Sequence, residues 1–388
     1  MSQVSNPHDI ASQLHNWLRN VDEPDRVFTK NKKVEVVFLV EAVNAILSRT
    51  EGVEDITLIK IPGTDYEVPA ILPEKLQAVA RRNMLSYLRS HYEREKKEID
   101  SYLQKLSVVF NKSEEKTGGR RAKGDGEDVV GYVKASAFLK SGGWNCFVQP
   151  PSGEGTDVGM DGFCPACALF GTVLDNTKVS GIGNISVGLK SRVEFDPAIA
   201  VSDRKVSVIP LTHNKVSDGV SWTGQSLFTE YHVAPGTIFV GKATLEDVTA
   251  AELNAFLATL LTITRLGGRE RLFGGVRVHL VGVRGGSYET VSVLELASKL
   301  ASNYGERLPS VDEVLKVLKG ELRSRGFITE LDQEAVKRLA ESDKMWSDLW
   351  KSTLIYDKQV LTRLLQLQGK ETAYAPAWNE KEVLGGKP

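Results

Sequence analysis

Strand-like and helical segments follow one another in the order strand, helix, strands, helix, strand, with a helical tail, and this order predicts an α+β fold. Three observations carry the prediction. Residues 34–47 (VEVVFLVEAVNAIL) are apolar and β-branched at their start. Two amphipathic helices stand far apart, one opening at Pro73 and one at Thr249. β-patterned residues return between and after them, over 181–240 and 276–283.

Taken in order, residues 1–30 are polar and poorly patterned, and 34–47 read as a buried strand closed by a polar turn at Ser48–Gly52. A short strand or turn over 56–61 ends at Pro62-Gly63-Thr64-Asp65. Pro73 then opens a long helix. Glu74 suits the positive end of its dipole, and Leu76, Val79, Ala80, Met84, Leu85 and Leu88 repeat at helical spacing. Its second half, 90–105, is charged. Residues 111–128 have almost no apolar side chain and read as a mobile loop. Strand-like residues come back over 129–139, and 141–162 is rich in Gly, Pro and Ser. Alternation at Ile185/Val187/Leu189, Val193/Phe195 and Val206/Val208 marks strands, with a tight turn at Pro235-Gly236. Thr249 with Glu252 forms a capping box for the helix over 249–266, whose buried stripe is Leu253, Phe256, Leu257, Leu260 and Leu261. A Gly/Arg loop, 267–275, leads into the strand 276–283. Helical spacing over 311–318, 334–339 and 344–367 completes the chain, with Trp346 and Trp350 four apart on one face. Strand–helix–strand–strand–helix–strand is the ferredoxin-like pattern shared by RNA-recognition modules.

Composition narrows the function. The chain has 388 residues with 49 Lys and Arg against 50 Asp and Glu, so any nucleic-acid binding must come from local basic surfaces rather than bulk charge. No signal-like start and no long apolar span is read, so a membrane role is not expected. Three cysteines do not make a disulfide framework, and a reduced, cytoplasmic setting is the simpler expectation.

Two motifs carry chemistry. Cys164-Pro-Ala-Cys167 places two thiolates at a spacing suited to tetrahedral zinc, and Cys146 upstream offers a third. His91, His213, His232, His279, Asp157 and Asp161 all stay open as a fourth ligand, and so does the alternative of two buried thiols with an unrelated cysteine. Between Arg265 and Arg284 lie five arginines and one acid, Glu270, among glycines that let the backbone approach a ligand. Arginine forks and bare backbone N–H groups suit phosphate oxygens, or form an ordinary solvated turn. The spacing is neither a Walker A loop nor G-x-G-x-x-G. Arg120, Arg121 and Lys123 in the loop, and Arg81, Arg82 and Arg89 on the first helix, offer similar cationic groups. No G-x-S-x-G, H-E-x-x-H or clustered acidic motif is present, which favours a binding protein over an enzyme.

Several segments, in order, resemble one family. Cys164-Pro-Ala-Cys167-Ala-Leu-Phe-Gly171 is similar to the C-x-x-C-x-L-F-G signature of the CRISPR RAMP superfamily, and Leu266-Gly-Gly-Arg…Leu272-Phe-Gly-Gly275 to its glycine-rich loop. His213-Asn-Lys-Val216, Leu227-Phe-Thr-Glu230 and Pro235-Gly-Thr-Ile-Phe239 resemble its hairpin and following core strand. Arg49-Thr-Glu-Gly52 and Val68-Pro-Ala-Ile-Leu-Pro-Glu-Lys75 look most like the type I-D branch, the Cascade backbone subunits of the Cas-seven group. The resemblance covers about residues 34–284.

The resemblance implies an RRM-like (ferredoxin-like) core with inserted subdomains over 31–290, preceded by a polar segment, 1–30, and followed by a helical extension, 291–388. The insertions are the loop 111–128, a cysteine-containing segment 141–175 and a thumb hairpin at about 195–230. It implies a non-catalytic subunit that binds guide RNA (crRNA) in antiviral defence, several copies lying along the spacer. The implied partners are the paired target nucleic acid, other copies of the chain, a large polymerase-like subunit, a RAMP cap subunit and a small subunit. The implied RNA contacts are Arg49, Lys75, Arg81, Arg82, Arg120, Arg121, Lys123, Lys215, Gly267, Gly268, Arg269 and Arg271. Structural zinc on Cys146, Cys164 and Cys167 is the cofactor that the thiol spacing suggests, and the resemblance leaves it open because zinc sites vary within the family. Type III relatives cut target RNA with an aspartate near the first strand; the corresponding stretch here, 41–52, has glutamates and no aspartate. A type III-like metal-dependent endoribonuclease is the alternative.

Overall fold

The computed structural model of the chain describes residues 4–23, 31–48, 56–105, 108–109, 130–131, 146, 164–179, 183–214, 227–267, 273–367 and 383. In chain order the elements are α1 (Pro7–Gln13), β1 (Lys33–Ala42), β2 (Leu58–Lys60), β3 (Glu67–Ile71), α2 (Pro73–Lys105), β4 (Val108–Val109), β5 (Val130–Gly131) and α3 (Pro165–Phe170). There follow β6 (Thr172–Val179), β7 (Gly183–Leu189), β8 (Val193–Phe195), β9 (Ala198–Ala200), α4 (Arg204–Ser207), β10 (Val208–Asn214) and β11 (Leu227–Val233). The chain continues with β12 (Ile238–Glu246), α5 (Ala250–Leu261), β13 (Val276–Gly286), α6 (Val293–Tyr304), α7 (Val311–Ser324), α8 (Gln333–Arg338) and α9 (Asp343–Leu367).

The main sheet runs β13–β1–β12–β9–β3–β2, with β8 also on β12. Every pair in it is antiparallel. Stripped to β1–α2–β8/β9–β12–α5–β13, this is the split β-α-β arrangement expected from the sequence, with β1 central. Side chains alternate across the sheet. Phe38 on β1 points to the α5 side, where its ring meets Phe195, and Phe195 meets Phe256 of α5. Glu35 and Glu41 point the other way. On that face Glu35 accepts hydrogen bonds from the Thr290 N–H, the Thr290 hydroxyl and Arg284.

Both faces are covered. α2, α5, α8 and α9 pack together on the Phe38 side, while α6 lies against β9 and β12 and α7 against β13 on the other. That is why all of 34–40 is buried, and why the strand reads as a continuous apolar run instead of an alternating one. The helical tail is therefore part of the core and not an appendage. Trp346 and Trp350 of α9 are 1% exposed, among the largest buried side chains in the protein.

Several expectations change. The polar start holds a capped helix: Asn6 accepts from the N–H groups of His8 and Asp9, and Asp9 returns the bond. The hairpin expected from about 195 begins at Val208, because Phe195 and Ala198–Ala200 are committed to the main sheet. β1 ends at Ala42, so 43–48 are its exit and not its continuation. Of the strand-like residues 129–139, Val130–Gly131 are described and form β5; the others, and the loop 111–128, lie outside the described residues.

Candidate nucleic-acid interface and cysteine cluster

Three segments distant in sequence meet at the exit of β1. The Val43 N–H donates to the Gly275 carbonyl (2.8 Å), the Gly275 N–H to Asn44 Oδ1 (2.5 Å), and the Gly274 N–H to the Ala45 carbonyl (2.7 Å). Two residues on, Ile46 and Val233 exchange both backbone hydrogen bonds, at 3.1 and 2.8 Å. The β1 exit thus touches the Gly/Arg loop on one side and the base of the β10–β11 hairpin on the other. His232, buried in the hairpin base, packs its ring 4.7 Å from that of Phe273 and joins those two elements directly. Ser48 closes the group by donating to the Ala70 carbonyl of β3 (3.4 Å), next to the start of α2.

Glycine makes this junction possible. Gly267 and Gly274 have φ of +97° and +78°. A Cβ would stand 2.5 Å from the Leu47 carbonyl oxygen at the first and 2.1 Å from that of Leu266 at the second. No other residue lets the backbone turn and approach in this way.

Of the expected RNA contacts, Gly267 stands in this junction and the others fall into three groups. Arg49, Arg120, Arg121, Lys123, Lys215, Gly268, Arg269 and Arg271 lie outside the described residues. In sequence, Arg49 follows Ser48, and Arg269 and Arg271 fall between Gly267 and Phe273, next to this junction; Lys215 follows Asn214, at the end of the hairpin away from it. Lys75 and Arg82 stand in the first turns of α2. Arg82 is exposed, and burial lowers the pKa of the half-buried Lys75. Arg81 departs from expectation. It is 7% exposed and turned inward, so it does not present a cation at the surface. The reason is helical phase: it lies beside Ala80 and Leu85 on the buried side of α2, one residue from the exposed Arg82.

Arg81 points at the cysteines. The Sγ atoms of Cys146, Cys164 and Cys167 all lie within 4.8 Å of one another, fully buried. This is the only such group of three or more His, Cys, Asp or Glu among the described residues. Cys164 caps α3, a helix the sequence reading missed, and Pro165 opens it. Arg81 Nη2 donates to Cys167 Sγ (3.2 Å) and Nη1 to the Gly171 carbonyl (2.6 Å). From the same side of α2, Gln77 donates to the Phe170 carbonyl (3.3 Å) and Arg89 to that of Cys146. The hydrogen bond with Cys146, with burial, pushes the Cys167 thiol up to about 11. Three soft, buried, converging sulfurs fit a metal that prefers thiolate. Of the open fourth ligands, His91 pairs with Asp343 (3.2 Å), His279 with Glu41 (3.0 Å), and His232 lies in the hairpin base, so none joins the cysteines. His213, Asp157 and Asp161 fall where no side chain is described.

A cleft of about 630 Å³ opens on the α7 side of the sheet, lined by Glu41, Arg277, His279, Ser310, Asp312 and Leu315 among others. The Glu41 carboxylate is engaged, accepting from His279 (3.0 Å) and Arg277 (3.2 Å). Among the described residues, no helix is long and apolar enough to cross a membrane.

Comparison with known proteins gives the lineage. No curated protein sequence matches the chain. A crystal structure of Thermofilum pendens Csc2 aligns with 34% identity and a TM-score of 0.64, covering 92% of this chain and 96% of that one. Two chains described as a CRISPR RNA-guided surveillance complex, one of them pre-nicking, align at TM-scores of 0.42 and 0.38 with 13% and 11% identity. Each covers 76% of this chain, with 89% and 84% of their own lengths aligned. The family profile described as Csc2 CRISPR matches residues 13–366, so the chain belongs to the Csc2 family, the backbone subunits of type I-D Cascade.

Proposed function

We propose that this Cascade backbone subunit holds guide RNA at the junction of the β1 exit, the Gly/Arg loop and the hairpin base, without cutting it. The observation that supports this best is the convergence of Val43–Ser48, Gly267, Gly274, Gly275 and Val233, beside which Arg49, Arg269 and Arg271 stand in sequence. Arginine forks and glycine-freed N–H groups at one place suit a sugar–phosphate strand. In RNA-recognition modules the open sheet face stacks bases on aromatic side chains. Here α6 and α7 occupy that face, which favours holding the strand by its backbone at the strand ends, with sequence read by base pairing. Several copies then lie along one spacer, next to the paired target and the other Cascade subunits. The contact set in this reading is Arg49, Lys75, Arg82, Arg120, Arg121, Lys123, Lys215, Gly267, Gly268, Arg269 and Arg271, with Arg81 withdrawn. Zinc is the metal assigned to Cys146, Cys164 and Cys167, in a structural role.

Filter binding of single-stranded RNA across a salt series tests the reading. Arg269→Ala and Arg271→Ala should each weaken binding for every sequence and flatten the salt slope by roughly 0.7 per lost phosphate contact. Losses confined to one RNA sequence, with an unchanged slope, contradict phosphate holding. Incubation of guide-paired RNA with magnesium tests the absence of cleavage, and regularly spaced cuts would reinstate the type III-like reading.

A further inference from the structure

The inward turn of Arg81 takes it away from the surface and brings a full positive charge to within 3.2 Å of a cysteine sulfur in the protein interior. An ion buried to this degree is costly unless a partner of opposite charge stands beside it. Among the described residues, no carboxylate touches the Arg81 guanidinium; it meets the Cys167 and Cys146 sulfurs and the Gly171 carbonyl. Neutral thiols and one carbonyl do not balance a guanidinium. A divalent metal on three thiolates does, because that group carries one net negative charge.

We propose that Arg81 is the charge partner of a three-thiolate metal centre, and that this balance selects a neutral fourth ligand, imidazole or water, over a carboxylate. The proposal rests on the reading of the cysteines as a metal site. Arg81 touches a ligand and not the metal, so it is a positioning residue. It donates to Cys167 Sγ with one nitrogen, and the other is braced on Gly171 at the end of the same short helix. A carboxylate in the fourth position would bring a second negative charge that Arg81 does not balance, and Arg89, the next guanidinium, is solvent-exposed and holds a carbonyl rather than a sulfur. Gln77 and Arg89, on the same side of α2, hold the Phe170 and Cys146 carbonyls, so one helix fixes both halves of the cluster and supplies the charge.

The test is zinc affinity of the full chain, measured by competition with a chromophoric chelator, with cobalt(II) spectra to count thiolates. Cys164→Ser should abolish tight binding, and a wild-type chain that binds no zinc or cobalt sinks the metal reading itself. If the wild type binds, Arg81→Met should lower affinity by about 10- to 100-fold, the usual effect of losing a group that orients a ligand. Arg81→Lys should retain most of the affinity. Asp157→Asn and Asp161→Asn should leave the affinity and the cobalt spectrum unchanged. Wild-type affinity in folded Arg81→Met overturns the charge-partner role while leaving the metal site standing. Loss in either Asp variant overturns the neutral fourth ligand. If Arg81→Met does not fold, Arg81→Gln, which keeps donors without charge, is compared with Arg81→Lys, and equal affinities overturn the proposal.

Discussion

At the residue scale, neighbours in sequence can have opposite fates. Arg81 and Arg82 are chemically the same, yet one phase of the helix sends the first to the cysteines and the second to solvent. Nothing in composition separates them; the apolar stripe of α2 does, once its orientation on the sheet is known. Arg192 is a second inward arginine. It is 4% exposed, and its nitrogens reach Glu252 (2.6 and 3.2 Å), the Ala168 carbonyl (3.1 Å) and the Asp247 carbonyl (3.3 Å). Its guanidinium also lies 4.2 Å from the centre of the Tyr356 ring. Burial lowers its pKa, but the Glu252 charge outweighs this and keeps the group ionised. Arg192→Met leaves the buried Glu252 carboxylate without its cation, held only by donors such as Thr249, and should cost about 3–5 kcal/mol in urea unfolding. Adding Glu252→Gln, which keeps a capping side chain without the charge, should recover a large part of that loss.

At the element scale, caps and glycines are what the sequence states most clearly. The capping box at Thr249 and Glu252 is present as read, and Ser310 with Glu313 repeats it at the start of α7. Both are local, four-residue signals, so tertiary context does not alter them. Glu313 is also gripped by Arg307 (2.5 and 3.1 Å), and this pair, with the Ser310 N–H, lowers its pKa to about 2. A depressed carboxylate stabilises the fold above its unfolded pKa, the ordinary glutamate value of 4.5, and the effect disappears as pH falls through about 2. The melting temperature of the wild type should therefore exceed that of Glu313→Gln at pH 6, and the gap should close between about pH 4.5 and 2. A gap that is constant across this range contradicts the assignment. The short helix at Cys164 was hidden for the opposite reason. Its six residues are too few for a period, and Pro-Ala-Cys-Ala-Leu-Phe reads equally well as a turn.

At the scale of the whole molecule, the C-terminal helices decide what the sheet can do. Tyr87 of α2 stacks on Trp346 of α9 (5.6 Å between centroids, 15° between planes), and the Trp346 indole N–H donates to the Ala340 carbonyl (2.8 Å). Trp346→Ala should cost about 3–5 kcal/mol, as expected for a fully buried aromatic. A loss near zero in denaturant titration would mark α9 as a detachable extension after all. Element order, the two helix stripes, the β-run at 34–40 and the glycine loop could all be read along the chain, because each depends on spacing within a few residues. Strand order, the covering of both sheet faces, the meeting of β1 exit, loop and hairpin, and the burial of Arg81 could not. Those features join residues dozens to hundreds of positions apart, and pairing at that distance follows from which apolar faces pack together, a choice no local spacing encodes.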